Sequence, residues 1–311
     1  MGRRPPGRPR PGPKRRGVRL PAWRALAWTN LFAQDDFLLT PSVRLTAGLK
    51  VERNSYTGRE YLPHLNLAWQ LAPSHMAWAS LARAVRVPSR IDRDFQSPSA
   101  PPLVDGLPQY IIAGGPDFIS EVAKVAQFGL RGQPTAALSY ALTVHASRYQ
   151  RLRTLETNPD GPGLVFLNRA GGDSHGAELS ARWDVRPYWR LTAGLSAQSL
   201  DTRAEAGSRD QTAAVNLASN DPAVWATLRS SFDVSDRLEL DFNLRHVGEL
   251  PQPVVPAYTA LDVRLGWKMT RRAELSLLAR NLLAPRHAEF GAAPGRPVYG
   301  RTLQARLSWR H

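Results

Sequence analysis

The sequence contains no cysteine, which excludes both a disulfide framework and a thiolate metal site. It also has no run approaching the roughly 18 apolar residues that a membrane-spanning helix needs. The N-terminal residues lack the apolar region, about 7–15 residues long, of a secretory signal peptide. By hydropathy alone the chain would be classed as soluble, but the periodicity of its apolar residues contradicts that classification.

Motifs for catalysis and for metal or phosphate binding are also missing. The seven histidines show no metal-ligand spacing such as HExxH, and there is no GxSxG. The glycine-rich stretches at 114–117 and 161–163 lack the strand–loop–helix context of a phosphate-binding loop. Glu239 and Asp241 lie at i and i+2 on one predicted strand, which favours the lining of an aqueous interior over acid–base catalysis. The sequence therefore predicts no enzyme, no catalytic residue, no cofactor and no metal site.

The net charge of +15 is concentrated at the N-terminus. Residues 1–24 hold nine of the 41 Arg and Lys residues and no acid, which leaves 32 basic and 26 acidic residues in the other 287. Residues 1–26 are rich in Pro, Gly and Arg and poor in apolar side chains, so we predict a disordered basic leader. Binding to an anionic polymer through counterion release is one role for it. A segment translated from an incorrect start codon is the alternative, and because no aromatic residue interleaves the first twenty positions, we predict no nucleic-acid partner.

Apolar and polar residues alternate through the rest of the chain. VRLTAGLKVE (43–52) and WRLTAGLSAQ (189–198) share six residues, and each sorts into one apolar and one polar face when read with period two. Many such segments have 10–13 residues, more than the usual five or six of a globular strand and enough to cross a hydrocarbon layer at a tilt. We predict thirteen strands, at 28–38, 42–53, 61–72, 76–86, 121–132, 136–150, 164–186, 189–203, 222–234, 237–248, 257–269, 273–283 and 301–310.

The connections between these strands alternate in length. Short turns are predicted at 40–42, 72–75, 132–135, 186–189, 235–236 and 270–272, and longer connections at 54–60, 87–120, 154–163, 201–221, 248–258 and 283–300. Outer-membrane barrels have short periplasmic turns and longer extracellular loops. Aromatic residues fall where one interfacial girdle of such a barrel belongs, near the short turns or the C-terminus; they are Trp69, Trp183, Trp189, Trp267 and Trp309. The pattern predicts an all-β fold, a transmembrane antiparallel meander β-barrel with its leucines toward lipid and its arginines toward water.

Four segments resemble the C-terminal barrel portion of a TonB-dependent outer-membrane receptor. They are NLFAQDDFLLTPSVRLTAGLKVERNSYT (30–57), LARAVRVPSRIDRD (81–94), SLLARNLLAPRHAEF (276–290) and VYGRTLQARLSW (298–309). The resemblance covers about 27–311. It implies location in the cell outer membrane of a Gram-negative bacterium and energy-coupled uptake of a ferric siderophore or a cobalamin-type ligand. It also implies three partners, namely outer-membrane lipid, the barrel-assembly machinery and, where a plug is supplied, an inner-membrane energy-coupling complex.

The sequence departs from this family in several ways. No segment resembles the plug domain, and thirteen strands fall about nine short of the roughly 22 in the family's plugged barrels. An odd number of strands also places the N-terminus and the C-terminus on opposite sides of the membrane, whereas complete bacterial barrels have an even number of strands. The chain ends on Arg310 and His311 and not on an aromatic residue. We therefore expect a truncated or remnant copy, open or incompletely closed, which folds poorly and does not transport on its own.

Two other functional classes and one group of arginines remain open. A complete smaller pore or adhesin, and a soluble β protein with a nucleic-acid-binding tail, are the alternatives. Four arginines near the largest loop fit contact with an anionic siderophore and a solvated loop rim equally well; they are Arg83, Arg86, Arg90 and Arg93. No ligand-binding residue is therefore assigned, and the identity of the ligand stays open.

Overall fold

A computed structural model describes residues 23–98, 101–104, 106–159, 161–210 and 220–309. Most of the predicted leader, and the C-terminal Arg310 and His311, lie outside these residues. Thirteen long strands follow one another in a single sheet. They are β1 Trp28–Thr40, β2 Val43–Asn54, β3 Gly58–Ala72, β4 His75–Arg86, β5 Glu121–Thr135, β6 Leu138–Thr157, β7 Leu164–Arg186, β8 Trp189–Ala204, β9 Val224–Ser235, β10 Leu238–Val247, β11 Tyr258–Lys268, β12 Ala273–Arg280 and β13 Thr302–Trp309.

Every long strand pairs antiparallel with its neighbour in sequence, so the sheet is a meander. The register pairs apolar residues of one strand with apolar residues of the next, on the same face of the sheet. Leu179 in β7 lies opposite Leu142 in β6 and Leu195 in β8, and the next residue, Ser180, faces Gly194 of β8 on the opposite side. Because cross-strand partners share a face, the sheet has one largely apolar face and one polar face. The predicted all-β meander of thirteen strands is confirmed.

The two outermost strands leave the sheet open. Within the described residues, β1 is paired only with β2, and β13 only with β12. All thirteen residues of β1 are exposed, and Leu31 and Leu303 on the two edges are 75% and 77% exposed. Since the number of strands is odd, β1 and β13 run in the same direction. The predicted open, incompletely closed sheet is therefore also confirmed.

The two ends of the sheet differ, and we call them the turn end and the loop end. The turn end has tight connections, at 41–42, 73–74, 136–137, 187–188, 236–237 and 269–272. The loop end has the long ones, at 87–120, 158–163, 205–223, 248–257 and 281–301. A short helix, α1 Arg90–Asp94, lies in the first of them. No helix among the described residues is both long and apolar enough to span a membrane.

One predicted long connection is wrong. The structure has a three-residue turn at 55–57 in place of the loop expected at 54–60. The side chain of Asn54 accepts hydrogen bonds from the backbone N–H groups of Tyr56 (3.0 Å) and Thr57 (2.8 Å), and Gly58 has a φ of +74°. An Asx-type turn followed by a glycine at positive φ closes the hairpin tightly. The strict alternation of short and long connections therefore fails at this position.

The aromatic girdle is present at the turn end of the apolar face. Trp183 lies opposite Leu191, Trp267 opposite Leu238, and Trp309 opposite Ala273. The rings of Trp189 and Phe232 stack at 5.1 Å. Trp69 and Tyr140 belong to the same face through their cross-strand partners Ala77 and Ala181. The five predicted tryptophans thus share one face near one end of the sheet, as interfacial aromatics do.

Candidate functional site

A buried carboxylate anchors the largest loop to the ends of two strands. The side chain of Asp92 in α1 is fully buried. Its carboxylate accepts hydrogen bonds from Arg86 Nη1 (3.0 Å) at the end of β4 and from Arg153 Nη1 (3.2 Å) in β6. The N–H and hydroxyl of Ser89 each donate to it at 2.8 Å, which completes a capping box at the start of the helix. Two charged partners and a cap satisfy this buried acid.

A second acid ties the same helix to the β2–β3 turn. Asp94 accepts a hydrogen bond from Tyr56 Oη (2.9 Å) and forms an ion pair with Arg24. Arg93 donates to the carbonyl oxygen of Tyr56 at 2.8 Å. Arg24 belongs to the segment predicted to be a disordered leader, so the end of that segment contacts the loop layer.

The four arginines left open by the sequence all contact protein groups. Their partners are Glu60 and the carbonyl oxygen of Tyr61 for Arg83, Asp92 and Glu121 for Arg86, Asp94 for Arg90, and the carbonyl oxygen of Tyr56 for Arg93. These contacts hold the loop against the strand ends. All four arginines thus help to fix the loop, and no ligand contact is assigned to them.

The anchoring of the loop depends on pH through Asp92. Burial alone would raise the pKa of this carboxyl, but hydrogen bonds from Ser89 and the charge of Arg86 outweigh burial and lower the pKa below its ordinary value. A lowered folded-state pKa stabilises the folded loop above the unfolded pKa of about 3.9, and this stabilisation is lost as pH falls through the folded value. We expect the loop to loosen as pH falls below about 4. A fluorophore on Ile111→Cys, in a chain without natural cysteine, reports this, and Asp92→Asn should flatten the response.

At the loop end of the polar face, aromatic and charged side chains form a compact group that we call the mouth cluster, defined as Arg245, Tyr258, His287, Glu289 and Tyr299. Tyr258 and His287 stack with ring centroids 4.1 Å apart, and the ring of Tyr299 lies 6.0 Å from that of His287. Glu289 accepts from Arg245 (3.2 Å) and Tyr258 (3.3 Å) and lies 3.2 Å from His287 Nε2. Two strands, β10 and β11, and the β12–β13 loop thus meet at one point.

Two atoms of the mouth cluster lack partners among the described residues. They are Nδ1 of His287 and Nε of Arg245. The side chain of His287 is only 5% exposed, so Nδ1 has little access to water. An unsatisfied polar atom in such a position is costly unless another group supplies the bond. Stacked rings beside a guanidinium suit a ligand that carries both flat aromatic surface and negative charge.

The polar face nearer the turn end carries a network of ion pairs centred on Arg264. Its guanidinium contacts Glu239 (3.1 Å), Asp241 (3.0 Å) and Glu274 (2.9 Å). Glu239 and Asp241, which the sequence assigns to the lining of an aqueous interior, therefore share one arginine. Ion pairs of this kind suit side chains that line an aqueous interior.

The mouth cluster was not predicted from the sequence. Its residues have no local spacing that marks a site, because Tyr258 and His287 are 29 positions apart and meet only through the fold. A signal was present in the density of aromatic and basic residues between 286 and 299. Within the described part of the chain, no three His, Cys, Asp or Glu side chains are grouped to hold a metal ion.

Comparison with protein-family models gives one match. Residues 4–282 match the model described as TonB dependent receptor-like, beta-barrel. No curated protein sequence matches the chain.

Solved structures share the fold at low sequence identity. The siderophore receptor PirA from Acinetobacter baumannii aligns with a TM-score of 0.70 and 15% identity over 91% of this chain and 46% of its own. A mutant of the ferric enterobactin receptor PfeA from Pseudomonas aeruginosa gives 0.67 and 16%, over 91% and 45%. The copper transporter OprC gives 0.65 and 16%, over 91% and 49%. The chain thus spans about half the length of each of these structures.

Proposed function

Because this chain belongs to the TonB-dependent receptor-like β-barrel family, we propose that it forms the loop-bearing part of an outer-membrane barrel for uptake of a ferric siderophore or a similar chelate. The mouth cluster carries this proposal, because it places stacked rings and a guanidinium on the polar face at the loop end. The structural neighbours include proteins named as siderophore receptors and a copper transporter. An aromatic, anionic iron chelate suits the cluster better than a cobalamin-type ligand, because it offers flat rings and charge together.

The two open edges support a further part of the proposal. An unpaired edge in lipid exposes a row of N–H and C=O groups that cost several kcal/mol each. We propose that further strands complete the barrel, and that transport needs these strands and an energy-coupling element in addition to the sheet described here. Since β1 and β13 run in the same direction, an odd number of added strands keeps every pair antiparallel. Completion by an even number would create a parallel pair.

Ligand binding is tested at the mouth cluster with ferric enterobactin as the probe. The full chain carrying Arg245→Gln and Tyr258→Leu is expected to bind the probe about 30-fold more weakly than the natural sequence, because one charge contact and one stacking surface are lost. Binding is measured by radioactive iron retained on outer-membrane vesicles that contain the protein. Arg229→Gln, a polar-face arginine in the middle of β9, is the matched control and should leave affinity unchanged. Equal weakening by both variants would contradict the assignment of the site.

A further inference from the structure

A row of charged side chains crosses the apolar face near the loop end, where the alternation predicts leucines. We call these side chains the rim charges, defined as Lys124, Arg148, Asp173, Asp201 and Arg203. Lys124 lies opposite Arg148, Arg148 opposite Asp173, and Asp173 opposite Asp201 on successive strands. They are on the same face as Leu179 and Trp183, because an even number of positions separates Asp173 from both along β7.

The distance from the aromatic girdle places the rim charges at the opposite border of the apolar band. Arg148 lies eight positions after Tyr140 in β6, and Trp183 lies ten positions after Asp173 in β7. At about 3.3 Å per residue and a tilt of about 40°, these intervals correspond to roughly 20–25 Å. The apolar band of a membrane barrel is about 25 Å tall. Charged side chains at that height meet lipid headgroups, where the cost of a charge falls to about 0–1 kcal/mol.

The positive charge of the rim charges is not fully neutralised by their carboxylates. Asp173 accepts from Arg148 Nε (3.0 Å) and from Arg203 Nη2 (2.8 Å), and the two arginine side chains remain 68% and 61% exposed. Lys124 is exposed and makes no hydrogen bond or ion pair within the described ranges. Arg83, opposite Lys124 on the same face, is paired with Glu60. The other three cations face two carboxylates, which favours an anionic group bound from outside.

A shallow groove adjoins the rim charges on the side toward the girdle. Its lining includes apolar residues, among them Leu65, Leu81, Ala126 and Ala146, and it also includes the charged residues Asp35, Arg83, Lys124, Arg148 and Asp173. The small alanine side chains leave a depression beside larger side chains such as Phe128, which is 51% exposed. A surface that joins an apolar channel to cations complements an acyl chain that carries a phosphate.

We propose that the rim charges and this groove bind a phosphorylated membrane lipid, with its phosphate on Lys124 and Arg148 and one acyl chain along Ala126 and Ala146. The proposal rests on the proposed membrane function, since it needs the apolar face in a bilayer. It assigns the site to a lipid of the surrounding leaflet and not to the transported ligand, because the rim charges and the mouth cluster lie on opposite faces of the sheet.

The test uses the full chain in dodecylmaltoside micelles, with bound lipid measured by native mass spectrometry. The probe is dimyristoyl phosphatidic acid, compared with dimyristoyl phosphatidylcholine and with inorganic phosphate. Lys124→Gln with Arg148→Gln should weaken phosphatidic acid binding about 30-fold, at roughly 1 kcal/mol for each basic residue. Arg44→Gln with Lys50→Gln removes the same charge from the polar face and should leave binding unchanged.

Three outcomes would overturn the proposal. They are equal losses in both double variants, equal affinity for phosphatidylcholine, and displacement of the lipid by an equal concentration of inorganic phosphate. Ala146→Phe gives a second test. Its side chain fills the groove, so it should weaken the binding of the lipid but not the binding of inorganic phosphate. Heat-modifiable gel mobility of the vesicle-reconstituted chain distinguishes failure of the lipid site from failure of membrane insertion. A chain that inserts without preferring phosphatidic acid contradicts only the lipid site, whereas a chain that never inserts contradicts the membrane function as well.

Discussion

Leu179→Arg is expected to prevent stable insertion of the chain into a bilayer. Leu179 lies midway between Trp183 and Asp173 on the apolar face and is 43% exposed, beside Leu142 and Leu195 on the neighbouring strands. An arginine at the bilayer midplane costs a membrane barrel about 2–4 kcal/mol. For a sheet with two unpaired edges, this loss should shift most of the protein to the unfolded or aggregated state. The measurement is urea-dependent folding into dimyristoyl phosphatidylcholine vesicles.

The adjacent residue supplies the control. Ser180 is on the polar face, opposite Ala141 and Gly194, so Ser180→Arg places the same side chain on the same strand but toward water. It should change the folding free energy by less than about 1 kcal/mol. If the two variants lose stability equally, or if only Ser180→Arg fails to fold, the assignment of the faces is wrong.

Asp92→Ala is expected to release the largest loop from the strand ends. The substitution leaves Arg86 and Arg153 without their shared carboxylate and removes the acceptor to which the N–H and hydroxyl of Ser89 donate. Because both arginine side chains stay partly exposed, the loss is that of hydrogen bonds between charged groups, about 1.5–3 kcal/mol. Backbone amides between 87 and 120 should therefore exchange with deuterium roughly 10- to 100-fold faster, while amides of β7 keep their protection.

Asp117→Ala is the matched control for this loop. Asp117 is exposed and lies in the same connection, so its loss should change exchange rates little. Slow exchange that persists in Asp92→Ala would show that apolar contacts around the buried Phe118 hold the loop without the ion pairs.

The strands were predictable because the signal that specifies them is local. Alternation along 10–13 residues predicts both a strand and its two faces. The register between neighbouring strands follows because the apolar residues of both must share one face. Leu179 and Leu195 fall opposite each other for this reason. The tryptophan girdle was predictable on the same basis, since its position depends only on distance from a turn.

The contacts at the loop end could not be derived in this way. Asn54 closes a tight turn through its side chain, although Asn and Gly also signal longer loops. Tyr258 and His287 meet only because the β12–β13 loop folds back over β11. The partners of Arg86 lie six and 35 positions away. Such contacts depend on the conformation of the loops, and no periodic pattern in the sequence predicts that conformation.

A cysteine scan of β7 tests the central claim most directly, because the natural chain has no cysteine. Residues 174–185 are replaced one at a time, labelled with a fluorophore in vesicles, and exposed to a lipid-dissolved quencher and to an aqueous one. We expect strict alternation, with odd positions such as Leu179 and Trp183 quenched from the lipid and even positions such as Ser180 quenched from water. Protection of the odd positions from both quenchers would place the leucines between packed protein layers and would contradict the membrane barrel.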